Sequence, residues 1–517
     1  MKTLLALLMI PALGLAQAPP ATRLTTIHAF QGAGRSLPVG GLVEGEDGVY
    51  YGVTADGGAS GGGTVYKVTT AGAHAVLHEF GRAPNNETGE MPRSGLVRGA
   101  DGSLYGTAAL GGPSDQNSNG VVYRITPAGV LTVLHAFSEA DGFSPGEIMM
   151  ASDGNLYGTT LSGGADGGGT IYRLTTGGAY TVLHHFAGDA TEGGFDFSRL
   201  VEGPGMTLYG TAQRGGYIEP GIEGTFFSVT STGTFDVRHR FLSTNGDPTG
   251  VIFGNDGLLY GTGFGGDGFR ITTAGDIAYL HKLFTCSCGT EMGGQPAGRL
   301  VQAANGLFYG ATSGGGITNN GTLYSMNSTG TVVPLHSFNG TTDGIAPNAT
   351  LIEGRDGRLY GTTSGFNTPG TVFKFAFAPV TPANFVASAT STNGTASGEV
   401  RLTWDAVRSA NSYEVYRGTA SGNLNQLSIG SVLTANSYVA TGLTPGVTYY
   451  FAVVAVNEAG PSPRSAEASA VPFGFVPEEQ PRAGGGGGGG WLDVLSLVML
   501  LALLQWRAHA QRQRVAR

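Results

Sequence analysis

Asp153-Gly154-Asn155-Leu156-Tyr157-Gly158-Thr159, then Thr170-Ile171-Tyr172-Arg173-Leu174, then a run ending on His184, is the stretch that decides the fold. Asp-Gly signals a two-residue hairpin, because both positions tolerate positive φ. Leu-Tyr-Gly-Thr is the strand it opens. A glycine-rich loop leads to residues 170–174, whose alternating β-branched and aromatic side chains read as a further strand. The tag recurs, with small variations, at Tyr51, Tyr105, Tyr209, Tyr260, Tyr309 and Tyr360, spaced by 49 to 54 residues. Asp47-Gly48, Asp101-Gly102, Pro204-Gly205, Asp256-Gly257, Asn305-Gly306 and Asp356-Gly357 precede these tags. A second tight turn, as in Ala71-Gly72, Ala128-Gly129 and Thr329-Gly330, leads to a fourth run such as Leu131 to Phe137. Four antiparallel strands in each period of about fifty residues predict an all-β, seven-bladed β-propeller.

The ends of the repeat array support this independently. The fourth-strand pattern first appears as Leu24 to Phe30, before any complete repeat, and the seventh repeat stops after Phe375 without one. The N-terminal run is therefore expected to complete the last blade, so that residues 24–377 close on themselves and leave no long unpaired edge. An open solenoid would need polar capping repeats, and neither end shows one.

These units, with Asp-Gly, Leu-Tyr-Gly-Thr, a glycine triplet such as Gly61-Gly62-Gly63, Thr64-Val65-Tyr66-Lys67 and Val333-Pro334-Leu335-His336-Ser337-Phe338, resemble the GloVer (Gloeo-Verruco) tandem repeat. The resemblance covers roughly residues 24 to 377. It implies an exported protein with a C-terminal anchor and brings no biochemical activity with it. The repeat is similar in length to kelch, but the tryptophan of a kelch blade is absent.

Residues 378–473 change character. Val400 to Trp404 alternates toward a core tryptophan, and Leu443 to Tyr449 resembles the tyrosine corner of a fibronectin type III sandwich, a common spacer in bacterial surface proteins. Residues 474–490 are linker-like and end in Gly484, Gly485, Gly486, Gly487, Gly488, Gly489 and Gly490, a run that cannot hold structure. Residues 491–506 are mostly apolar and predict a transmembrane or sorting helix, and 507–517 is an arginine-rich tail expected to stay cytoplasmic. Glycine run, short apolar helix and basic end in that order resemble the GlyGly-CTERM signal, which implies an intramembrane sorting protease, a rhombosortase, as partner. An ordinary, unprocessed membrane anchor is the competing reading.

At the other end Lys2 precedes an apolar run from Leu4 to Leu15, and Ala16-Gln17-Ala18 offers a signal peptidase its small residues. Residues 1–18 are thus expected to be a signal peptide cleaved after Ala18; an uncleaved helix would need about 20 apolar residues. The 517 residues include 90 glycines and only 13% charged side chains, with a formal charge of -9. No basic stripe favours nucleic acid. Cys286 and Cys288 cannot make a disulfide framework; an oxidising compartment permits a bridge between them, in a small and strained ring.

Candidate sites are few. His28, His78, His135, His184, His239, His281 and His336 recur in the fourth strand, about three strand spacings of 4.8 Å from the innermost one, so they diverge rather than converge on a metal and are expected at blade interfaces. The Asp-Gly aspartates lack the several oxygens a calcium site needs and are expected to form turns. There is no G-x-S-x-G elbow, no H-E-x-x-H and no phosphate loop, so no catalytic, cofactor or metal residue is assigned. A carboxylate pair on separate loops would leave no local signature. The expectation is an exported, envelope-anchored, non-catalytic binding protein whose unidentified ligand, a glycan or a protein, docks on the long loops such as 116–119, 217–223 and 285–298. A secreted glycan-active hydrolase or lyase with acids on the propeller face is the alternative, and a purely structural envelope role is a third.

Overall fold

The computed structural model describes residues 21–473, apart from 31–36, 47, 83–85, 114–118, 189–191, 195–196, 214–221, 243–246, 283–294, 349, 366–369, 391–397 and 428–432. The expected signal segment with Ala18, the pair Cys286 and Cys288, the glycine run Gly484 to Gly490, the apolar segment 491–506 and the tail 507–517 lie outside the described residues. Among the described residues, no helix is long and apolar enough to cross a membrane.

The chain is all-β. Among the described residues seven antiparallel sheets follow one another, each running from a first strand to a fourth in the order of the sequence repeat. The third sheet is representative: Phe143–Met150, Leu156–Ser162, Thr170–Leu174 and Tyr180–His185. In the second sheet the first strand is split into Glu90–Pro92 and Val97–Arg98, which both pair with Leu104–Leu110. The seventh sheet takes Ile352–Glu353, Leu359–Thr363 and Thr371–Phe377 from the end of the array, and its fourth strand is the N-terminal Thr22–Ala29. That pairing runs from Thr22 opposite Phe377 to Ala29 opposite Thr371.

The recurring tag is explained by packing inside each sheet. Tyr66, Tyr123, Tyr172, Phe227, Phe269, Tyr324 and Phe373 of the third strands are buried, each lying over the tag glycine of the second strand. A methyl group on Gly158 would come 2.5 Å from the Tyr172 hydroxyl oxygen and 2.6 Å from its Cζ. Gly52 and Gly106 face Tyr66 and Tyr123 at the same distances. The tag tyrosine itself anchors the turn before it: the hydroxyls of Tyr157, Tyr260 and Tyr360 donate to Asp153, Asp256 and Asp356 at 2.7 to 2.8 Å. The other carboxylate oxygen of each aspartate accepts the backbone N–H two residues on, an Asx turn. The aspartates are turn formers, as the sequence predicts.

Every fourth strand carries a β-bulge, which strict alternation does not anticipate. The register slips at the residue before the recurring histidine, at Ile27, Leu77, Leu134, Leu183, Arg238, Leu280 and Leu335. The extra residue re-aims the side chains beyond it. Its carbonyl abuts the glycine of the next sheet's last turn: a methyl on Gly129 would lie 2.6 Å from the Leu77 oxygen, and one on Gly233 would lie 2.7 Å from that of Leu183. Where its side chain is described, the histidine then faces the next sheet. His135 stacks on Tyr180 with ring centres 3.8 Å apart, His184 on Phe235 at 3.8 Å and His28 on His74 at 4.1 Å. His135, His184 and His336 also pair with Asp141, Glu192 and Asp343 at 2.8 to 3.1 Å.

Apolar clusters join each sheet to its successor, as in Tyr51, Val65 and Phe80 of the first with Leu96, Val121 and Tyr123 of the second. Phe30, Tyr360 and Val372 of the seventh sheet share a cluster with Leu42, Tyr50, Tyr66 and Val68 of the first.

Beyond Phe377 the strands divide into two further sheets, Val386–Thr390, Gly398–Thr403 and Ser437–Leu443 in one, and Ser412–Gly418, Gln426–Leu427, Tyr449–Asn457, Gly460–Pro461 and Ala468–Ala470 in the other. Val400, Leu402, Trp404, Tyr413, Val415, Phe451 and Val453 fill the space between. The Tyr449 hydroxyl accepts the Thr444 backbone N–H at 3.1 Å, the tyrosine corner expected from the sequence. This module is clamped to the seventh sheet. The Arg358 guanidinium, 7% exposed, donates from Nε and Nη2 to the two oxygens of Glu458 at 2.7 and 2.6 Å, and from Nη2 to Asn411 at 2.7 Å. The Asn457 amide donates to the carbonyls of Phe377 and Ser409 at 2.8 and 3.0 Å.

Candidate functional site

First strands also touch neighbouring sheets, as Pro248–Phe253 does Pro296–Gln302. Ten residues before the tag tyrosine, successive repeats place Gly41, Gly95, Glu147, Arg199, Gly250, Arg299 and Thr350. Contacts run through this register from sheet to sheet. A methyl on Gly95 would lie 2.5 Å from the Gly41 oxygen, and the Thr107 hydroxyl donates to the Gly146 carbonyl at 2.9 Å. A methyl on Gly250 would meet Arg299 Cγ at 2.8 Å on one side and Ser198 Cβ at 3.1 Å on the other. The Arg299 backbone N–H donates to the Thr350 hydroxyl at 3.1 Å, and Gly41 faces the Thr350 carbonyl at 3.2 Å. These contacts lead from the sixth sheet to the seventh and from the seventh back to the first.

The charged members converge although three different sheets supply them. Arg299 Nη2 lies 3.7 Å from Glu147 Oε2, spanning from the sixth sheet to the third. The Arg299 side chain is 12% exposed and that of Glu147 33%. Burial, and then the neighbouring Arg299 guanidinium, push Arg199 down to about 10, with Glu147 acting in the opposite sense. Among the described residues Arg299 Nε is buried with no hydrogen-bond partner. One carboxylate thus faces two guanidiniums, leaving a net positive charge on a partly buried group of side chains. Such a set can bind and orient an anionic group. It holds no second carboxylate for acid and base work on a glycosidic bond.

Sequence reasoning about motifs missed these three residues, since none belongs to a local signature. The signal that finds them is the repeat itself: in that column the charged residues stand out among glycines and threonine. The recurring histidines belong to separate sheets, and His28 stacks on a histidine outside that set, His74 of the first sheet. Among the described residues no cluster of three or more His, Cys, Asp or Glu is placed to hold a metal ion. Of the long loops expected to bind, residues 116–118, 217–221 and 285–294 lie outside the described set.

Fold and site together define an all-β repeat protein with a fibronectin type III module at residues 384–471. The chain belongs to the Gloeobacter/Verrucomicrobia repeat family, whose signature matches residues 15–151, 114–283 and 263–406. It is similar to a poly(3-hydroxybutyrate) depolymerase of Ralstonia pickettii, 31% identical over 191 residues, which are 34% of this chain and 36% of that one. It is also similar to an amylopullulanase of Thermoanaerobacter thermohydrosulfuricus, 41% identical over 76 residues, 14% of this chain and 5% of the other. The chain therefore spans about a third or less of these relatives. Among solved structures, an Fn3-like protein from Clostridium thermocellum is 36% identical across 18% of this chain and 91% of its own, with a TM-score of 0.16.

Proposed function

We propose that the seven sheets close as a seven-bladed β-propeller, carried on the fibronectin type III module, and that the protein is exported and displayed on the cell surface to bind a ligand without turning it over. The repeat family and the fibronectin module together point to a surface or extracellular protein. The observation that carries the non-catalytic reading is the composition of the converging site: Glu147 stands alone against Arg199 and Arg299. In this reading export follows cleavage after Ala18, and the tail from Trp491 to Arg517 is a sorting signal removed beside the glycine run.

Three measurements test the reading. Antibody labelling of unpermeabilised cells of the native host should find the protein at the surface; exclusively cytoplasmic protein would sink the export reading. Intact mass of the surface form should lack Arg517, and its retention would make the tail an ordinary anchor. Glycan-array and hydrolase screens should give binding without turnover, whereas bond cleavage would favour the glycan-active alternative.

A further inference from the structure

We infer that Arg199 and Arg299, at the convergence of the first strands, bind the carboxylate of a monoanionic ligand, with Glu147 setting the charge that the site accepts. The inference deepens the binding reading above and stands on the contacts of three residues rather than on ring closure.

Three observations converge on it. Two guanidiniums brought together from the fourth and sixth sheets repel one another, and a single carboxylate offsets only one of them. The fold tolerates that repulsion in a partly buried place, where an uncompensated charge costs more than at the surface. Arg299 Nε supplies the second observation: it is a buried donor with no partner among the described residues, and leaving such a donor unpaired is unfavourable. A guanidinium presents its donors in a planar fork that matches a carboxylate. The third is positioning: the stem of Arg299 packs against Gly250, where a methyl would lie 2.8 Å from its Cγ, so the guanidinium is held in a fixed place.

Charge counting then selects the ligand. Arg199, Arg299 and Glu147 sum to one positive charge, which a monocarboxylate neutralises and a phosphate dianion overshoots. Glu147 is also the competitor: it lies 3.7 Å from Arg299 and must share the guanidinium with anything that enters. An entering carboxylate therefore meets a preformed but partly satisfied fork.

The test is calorimetric titration of the full chain, purified from its host, with acetate, malonate and inorganic phosphate, alongside thermal melting. Acetate should bind saturably and raise the melting temperature, ahead of phosphate. Arg299→Gln should weaken acetate binding by at least about tenfold, as expected for loss of a charge-assisted pair. If Arg299→Gln misfolds because the side chain also braces Gly250, Arg199→Gln gives the same readout. Glu147→Gln removes the competing carboxylate and should tighten acetate binding while moving the preference toward phosphate. No saturable binding of any of the three anions, acetate binding in both arginine variants unchanged from wild type, or a wild-type preference for phosphate would each overturn the proposal. Surface labelling is measured separately, so an empty titration on a correctly displayed protein removes the anion site and leaves the display reading standing.

Discussion

A single missing methyl group sets the tag. Gly158 exists in its form because the Tyr172 ring lies across it, and Gly158→Ala should cost about 1–3 kcal/mol, the range for overpacking a close-packed interior. Chemical denaturation measures it, and an unchanged midpoint would refute the packing account. The ring's hydroxyl is a different matter. The oxygens of Tyr66, Tyr123 and Tyr172 are buried without a hydrogen-bond partner, and three other sheets use Phe227, Phe269 and Phe373 in the same place. Tyr123→Phe should therefore be neutral or stabilising, since it removes an unsatisfied polar atom and keeps the ring; a clear loss of stability would show a partner for the hydroxyl. His74 obeys similar logic with pH added. Burial first, then His28, lowers its pKa to about 4, and its Nε2 is a buried orphan. A histidine held neutral in this way contributes stability that is full above its ordinary 6.5 and is lost as pH falls through about 4. His74→Phe, which copies Phe235 of the fourth sheet, should flatten melting temperature between pH 6.5 and 4. Persistence of the wild-type slope would place the acid sensitivity elsewhere.

At the scale of elements, the second and third strands were legible because glycine, tyrosine and β-branched residues mark them at fixed offsets. The fourth strand was legible only as a strand. Its bulge appears in the sequence as two neighbouring apolar residues, Val133-Leu134 or Val182-Leu183, where alternation would demand one, and the departure places the histidine against the next sheet. The N-terminal strand was legible from the mismatch between the two ends of the array. Its removal defines a prediction: deleting residues 22–30 strips the partner from Thr371–Phe377 and takes Phe30 out of the cluster between seventh and first sheets. The exposed edge is a template for pairing with other chains. Size-exclusion chromatography should show association and melting should fall; a monomer with the parental melting curve would contradict the role given to this strand.

For the molecule as a whole, the fibronectin module is not a loosely strung spacer, because Arg358, Glu458, Asn411 and Asn457 hold it against the seventh sheet. The sequence revealed both partners of this contact and nothing of the contact itself, since the Asp356-Gly357-Arg358 turn looks like every other repeat turn. The site was hidden for a related reason: Glu147, Arg199 and Arg299 lie far apart in the chain and only the stacking of sheets brings them together. Hydrogen bonds from Arg358 hold the Glu458 carboxyl at about 2, against an ordinary 4.5. Its contribution is thus present above about 4.5 and lost as pH falls toward 2. Relative to the intrinsic rate at each pH, hydrogen exchange at the Asn411 and Asn457 amides should quicken over that window. In Glu458→Gln it should already be fast at neutral pH, with a loss of about 3 kcal/mol from stranding Arg358; protected amides in that variant would show that other contacts hold the module.

The pairing of Thr22–Ala29 with Thr371–Phe377 also sets a timetable. The first strand to be synthesised must wait for residues 30–370 before its neighbour exists, and so long a separation makes this docking a late and slow step. A polypeptide that stops short of Thr371 can stack its early sheets but keeps one strand without a berth. Completion of the seventh sheet therefore waits on the seventh repeat: Thr22–Ala29 leaves its unpaired state only once Thr371–Phe377 has been made.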